Sequence, residues 1–174
     1  MNFDGAAKGN SGPAGFGGIF RSHEGANIHI YFGSLGRDYN NAAELEGLWQ
    51  GICIAERENI FPLEVEGDSQ ILIEAEKRLQ SSSSASNIAS SWRLQSRLEI
   101  IEKWLRTPKV ISFKNVRIIA NKVADRLANQ GSLQTTPFYE GLLENSNDVQ
   151  LIQDCTSLVH QDIQVLDAGG RNVQ

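Results

Sequence analysis

Long hydrophobic runs are missing from this 174-residue chain. No apolar stretch approaches the roughly 20 residues a membrane helix needs, so neither a spanning helix nor a membrane partner is expected. Cysteine is scarce as well. Cys53 and Cys155 are far apart and form no Cys-x-x-Cys pair, which argues against a disulfide framework or a zinc site. Cys53 lies in an apolar helical stretch and reads as a small core residue. The opening residues MNFDG carry neither a basic n-region nor an apolar h-region, so no secretory leader is expected and the chain reads as intracellular. Internal repeats are absent, and residues 81–91 (SSSSASNIASS) form the only low-complexity stretch, read as a loop.

A positive charge excess is also lacking, which looks wrong for a nucleic-acid binder. The net charge is −5, but its distribution matters more than its sum. Residues 1–130 hold 15 basic and 15 acidic side chains. Beyond them Arg171 stands alone against Glu140, Glu144, Asp148, Asp154, Asp162 and Asp167, so the whole excess is in the tail. Between Arg78 and Arg126 there are ten basic residues against Glu99, Glu102 and Asp125, a surface that could face phosphate or simply solvate helix faces.

What is abundant is glycine near the start: FDGAAKGNSGPAGFGG, residues 3–18, holds six. Residues 1–4 read as a first strand cut short by the start Met. The glycines read as a loop, whether an ordinary turn or one that lets a substrate approach bare backbone. Phe16–Arg21 and Asn27–Gly33 read as two strands of a meander. Leu45, Leu48, Trp49, Ile52 and Ala55 recur at helical spacing, with Asn40 or Asn41 as the N-cap. Leu63 and Val65 alternate with Glu64 and Glu66 in a half-buried strand that ends at Gly67-Asp68. Helices follow at Ser69–Leu79 and Trp92–Leu105, then a strand at Lys109–Val116. A last helix spans Asn121–Gln130, capped by Asn121 and stopped at Gly131. The order βββαβααβα predicts an α/β domain with a mixed sheet. Residues 1–131 read as that domain. Residues 132–174 read as an acidic, partly disordered tail with a helical stretch at Asp148–His160 and little part in the core.

Four acids occupy strand ends and helix starts. Asp4 and Asp68 follow strands, and ligands gather outside strand C-termini in open α/β sheets. Glu44 flanks the apolar face of the first helix, whereas Glu46 points away and reads as solvated. Asp125 sits one turn into the last helix. Each alone could be a solvated surface group or a cap. Converging together, they would repel and some would protonate unless divalent metal intervened. Hard oxygen ligands suit Mg²⁺ or Mn²⁺, and two such ions roughly 3.5–4 Å apart drive in-line phosphodiester cleavage.

FDGAAKGNSGPAGFGGIFR, NNAAELEGLWQGI, VEGDSQIL and NKVADRLAN resemble, in order and spacing, the four acidic blocks of the ribonuclease H superfamily. The resemblance is greatest to the plant ribonuclease H-like, reverse-transcriptase-associated domain, over residues 1 to about 131. It implies a ribonuclease H-like fold, a five-stranded mixed sheet flanked by helices. It also implies Mg²⁺-dependent cleavage (Mn²⁺ as substitute) of the RNA strand in an RNA–DNA hybrid by a monomer, with Asp4, Glu44, Asp68 and Asp125 as metal-holding catalytic residues. Gly5, Asn10, Asn40, Asn41, Ser69, Gln70 and Asn121 match positions expected at the substrate, where the RNA 2′-hydroxyls distinguish RNA from DNA. Double-stranded RNA is a second candidate partner.

The chain departs from the pattern in two places. Asn115 stands where the plant family has a His, and Ile118-Ile119 replaces an Arg-Glu pair. These departures keep open an alternative, a catalytically weak or inactive nucleic-acid-binding module derived from a retroelement polyprotein. A third reading is an interaction domain that kept only the fold.

Overall fold

The structure, a computed structural model, describes residues 1–68, 92–116, 121–133 and 138–158. The central strands alternate cleanly, and that alternation builds two cores. Along β2 (Gly12–Arg21), Phe16 and Phe20 point to one face while Ile19 points to the other. On β3 (Asn27–Asp38), Tyr31 shares the first face, and Ile30 and Phe32 the second. β1 (Asn2–Ala7) runs antiparallel to β2, with Asp4 opposite Gly17 and Gly5 opposite Phe16. β4 (Leu63–Gly67) lies parallel to β1 and to β5 (Val110–Asn115). A sixth strand, β6 (Phe138–Gly141), pairs antiparallel with Ile30–Gly33 of β3. The sheet order is β5-β4-β1-β2-β3-β6.

The first face is covered by α1 (Asn40–Glu58) and α2 (Trp92–Leu105). There Leu45, Leu48 and Ile52 of α1, with Leu98 and Ile101 of α2, bury Phe3, Phe16, Tyr31 and Val65. The opposite face is covered by α3 (Lys122–Leu133) and by α4, residues 149–158. Val123, Leu127, Leu151 and Cys155 close over Ile19, Ile30 and Phe32.

The mixed sheet agrees with the sequence reading, and several details correct it. Among the described residues there are six strands where five were expected. β1 continues past Asp4 to Ala7, so the glycine-rich stretch is mostly strand, with a turn at Lys8–Ser11 closed by the Lys8 N–H on the Pro13 carbonyl at 2.9 Å. α1 is preceded by Tyr39 rather than capped by Asn40 or Asn41. α3 runs through Gly131 instead of stopping there. The reason is steric: a Cβ at Gly131 would lie 2.4 Å from the Gly33 carbonyl oxygen, so the glycine serves close helix–strand packing.

The expectation that residues beyond 131 take little part in the core fails for 138–158. Leu143, Leu151 and Cys155 are buried in the second core, and Glu140 of β6 pairs with both His29 and Arg57. The sequence hid this because the charged residues there are all acidic and drew the reading towards a solvated tail; Leu151, Ile152, Cys155 and Leu158 are, however, well spaced on a helix. Ser69–Leu79, the Ser-rich loop, Ile118-Ile119, the last two residues of the expected Asp148–His160 helix and the expected disordered end after it lie outside the described residues.

Candidate active site

Glycines bring the acids together. A Cβ on Gly5 would stand 2.0 Å from the Glu44 nitrogen and 2.3 Å from the Ala43 carbonyl carbon. The first turn of α1 therefore rests directly on β1, one residue from Asp4. Reciprocally, a Cβ on Gly47 would be 2.6 Å from the Asp4 carbonyl oxygen. On the other face a Cβ at Gly17, the residue paired with Asp4, would meet the Ala128 nitrogen at 2.5 Å. That contact seats α3, and with it Asp125, against the same part of the sheet. Gly5 is thus buried beneath α1 and does not reach a substrate, which corrects its expected binding role. No other residue fits these approaches without moving a helix.

Asp4 feels all three of the other acids. Burial is the largest influence on its carboxyl, followed by the charge of Asp68, with Asp125 and Glu44 adding to it; together they push its pKa up from 3.8 to about 8, against the Gly5 N–H that favours the charged form. Asp125 is raised too, by burial first and then by Asp68, with the Asn129 amide and Arg126 opposing.

Each carboxylate accepts a hydrogen bond from a neutral N–H group. The Gly5 N–H donates to Asp4 Oδ1 at 2.7 Å, and Asn40 Nδ2 to Glu44 Oε1 at 2.7 Å. Asn121 Nδ2 donates to Asp68 Oδ1 at 3.4 Å, and Asn129 Nδ2 to Asp125 Oδ1 at 2.9 Å. These donors orient the acids without cancelling their charge. Asn129 was not anticipated from the sequence, although its i+4 spacing from Asp125 on a helix was a usable signal.

The donor set is all hard oxygen, and Asp4, under the combined repulsion of the other three, is the feature a divalent cation would relieve. In that chemical sense the residues fit Mg²⁺ or Mn²⁺. Among the described residues no three His, Cys, Asp or Glu side chains stand as a ready-made metal cage, so ion binding would require the carboxylates to turn inward.

The remaining expected residues divide. Asn10 is exposed in the β1–β2 turn and accepts from the Asn40 N–H at 3.2 Å, which joins that turn to the start of α1; Asn41 is exposed beside it. These three form a polar rim next to Glu44. Asn121 is only 1 % exposed, so its side chain cannot contact a substrate directly, contrary to expectation. Ser69 and Gln70 lie outside the described residues. Glu46 is buried rather than solvated: Gln50 donates to it and Arg97 of α2 pairs with it, a partner 51 positions away that no local pattern reveals.

The basic stretch is less available than its composition suggests. Arg97, Lys109, Lys114 and Arg126 pair with Glu46, Glu56, Glu64 and Asp154 respectively, acids all supplied from outside the stretch. A cavity of about 640 Å³ beside β6, lined by Phe32, Phe138, Tyr139 and Asp148, contains none of the four acids. Among the described residues no helix is long and apolar enough to cross a membrane.

Comparison with known proteins bears on the same residues. The model of a family described as reverse transcriptase-like matches residues 2–131. A ribonuclease H protein of Arabidopsis thaliana is 30% identical over 129 residues, 74% of this chain and 20% of that protein. Ribonuclease HI of Halobacterium salinarum is 36% identical over 70 residues, 40% of this chain and 35% of that protein. The chain therefore spans about a fifth and about a third of these two curated relatives. The crystal structure of ribonuclease H1 from the halophilic archaeon Halobacterium salinarum superposes with a TM-score of 0.60 at 30% identity, over 75% of this chain and 93% of that one.

Proposed function

The chain belongs to the reverse transcriptase-like family, within the ribonuclease H superfamily, and we propose that it is an endonuclease hydrolysing the RNA strand of RNA–DNA hybrids by a two-metal mechanism. The observation that carries the proposal is the gathering of Asp68, Asp125 and Glu44 around Asp4, each of the four accepting from a neutral donor; burial first, and then these three charges, raise the Asp4 pKa to about 8.

In this reading Asp4, Glu44, Asp68 and Asp125 hold Mg²⁺, or Mn²⁺ in its place. When bound, the ions offset negative charge on phosphate and make water a stronger nucleophile at neutral pH. The chain's own residues do the placing. β1 and the end of β4 carry Asp4 and Asp68, and the glycine contacts seat α1 and α3, which carry Glu44 and Asp125, close against that part of the sheet. The Asn10–Asn40–Asn41 rim, with Ser69 and Gln70, receives the sugar-phosphate edge of the hybrid, where 2′-hydroxyls offer donors and acceptors that DNA lacks.

A second reading, binding without cleavage, draws support from Ile118-Ile119 in place of the family's Arg-Glu and from the lack of a ready-made cage among the described residues. One experiment separates them. A hybrid labelled on either strand is incubated with the full chain in Mg²⁺. The proposal requires the RNA strand to shorten, the DNA strand to stay whole, and EDTA to stop the reaction. Retention of the hybrid with both strands intact at every Mg²⁺ and Mn²⁺ concentration would select the binding module.

A further inference from the structure

Asn121 touches three of the four elements that carry the acids. Its side-chain Nδ2 donates to the main-chain oxygen of Phe3, the residue before Asp4, at 3.0 Å, and to Asp68 Oδ1 at 3.4 Å. Its own main-chain oxygen accepts from the Asp125 N–H at 3.0 Å. One residue at the start of α3 thus bonds to β1, to the end of β4 and to the acid one turn further along its own helix.

The orientation of the amide is fixed by its partners. The Phe3 carbonyl and the Asp68 carboxylate are both acceptors, so reversing the amide would set oxygen against oxygen. The orientation is retained at the expense of the other end: Asn121 Oδ1 is buried with no hydrogen-bond partner among the described residues. An ordinary N-cap asparagine turns that oxygen onto the first N–H groups of its helix. Here it does not, and the side chain works as a donor only.

We infer that Asn121 is a positioning residue, which sets Asp68 and Asp125 relative to Asp4 from within the protein and does not touch the nucleic acid. The inference rests on the proposal that these acids act as one site. It reassigns a residue whose motif position had suggested substrate contact. The 3.4 Å separation to Asp68 is the long limb of the arrangement.

The test compares the full chain with Asn121→Ala and with Asn121→Ser, which supplies a small hydroxyl able to cap the helix and is the arm to rely on if the alanine chain does not fold. Three readouts are taken at a temperature where circular dichroism shows all of them folded. Calorimetric titration with Mn²⁺ should show affinity weakened by about tenfold, the low end for losing a group that orients a metal ligand. Steady-state cleavage should show kcat depressed at limiting metal and recovering at saturating metal, with KM for the hybrid unchanged. A crystal structure of the serine variant should show the Asp68 carboxylate moved away from the Phe3 carbonyl. A raised KM with kcat intact would overturn the inference in favour of substrate contact, and so would unaltered metal affinity in a folded variant. If the wild-type chain neither binds metal nor cleaves, the proposed function has failed, and the crystal structure alone decides: an Asp68 that has not moved refutes the positioning role.

Discussion

Replacing Asp4 by Asn should inactivate the site and stabilise the fold, and the size of that gain follows from the surroundings of the carboxyl. Asp4 is buried beside Asp68, and its pKa stands near 8 rather than 3.8. The folded chain holds this proton more tightly than the unfolded chain, so its contribution is fully present below pH 4 and is lost as pH rises towards 8. At 1.36 kcal/mol per pKa unit, the loss is about 2 kcal/mol at pH 5 and about 4 kcal/mol at pH 7. Asparagine is neutral, nearly isosteric, and keeps an oxygen for the Gly5 N–H. The variant should therefore unfold about 10 °C higher at pH 7, since each kcal/mol shifts Tm by about 2–4 °C in a chain of this size. Thermal and urea unfolding of both proteins in EDTA, at pH 5, 6, 7 and 8, measures this directly. The gap should open with pH, and added Mg²⁺ should narrow it by stabilising the wild type alone. A variant no more stable than wild type at pH 7, or a gap that ignores pH, would refute the reasoning.

Asp125→Asn should show the same pH-dependent sign, because burial and Asp68 raise its carboxyl as well. Gly17→Ala would drive a methyl group into the Ala128 backbone; it should destabilise by about 1–3 kcal/mol and displace Asp125, with activity lost in protein that remains folded, read by circular dichroism beside the cleavage assay. Leu151→Ala should cost about 2–5 kcal/mol in urea unfolding, since Leu151 is fully buried against the sheet face it shares with Leu127. Ending the chain at Gly131 should likewise give an aggregating or unfolded product by gel filtration, because Ile30 and Phe32 would lose part of their cover.

The nearness of Glu44, Asp68 and Asp125 to Asp4 could be expected from the sequence because their order matched a family pattern, although Asp4 lies inside β1 and not, as read, at its end. What the glycines do was not legible. Gly5 read as a loop residue, since glycine is common in turns, and Gly17 as part of an ordinary strand; only the structure shows helices resting on them. Glu46 and Arg97 were misread for a related reason: a pairing between two helices leaves no periodic trace in either. Asn121 was placed correctly at the start of its helix but given an outward role, because a motif position does not say which way an amide faces. The share of 138–158 in the core was hidden by composition. Every charged residue of that segment is acidic, while its burial rests on positions such as Leu143, Leu151 and Cys155.

The central claim is that Asp4, Glu44, Asp68 and Asp125 form one catalytic site, and four single substitutions test it most directly: Asp4→Asn, Glu44→Gln, Asp68→Asn and Asp125→Asn. Each is assayed with Mg²⁺ on an RNA-labelled hybrid, with folding checked by circular dichroism and hybrid binding measured in EDTA. The account predicts that the wild type releases RNA fragments with 3′-hydroxyl and 5′-phosphate ends, and that all four variants stay folded, bind the hybrid and release none. A folded variant at any of the four positions that cleaves as fast as the wild type would contradict it.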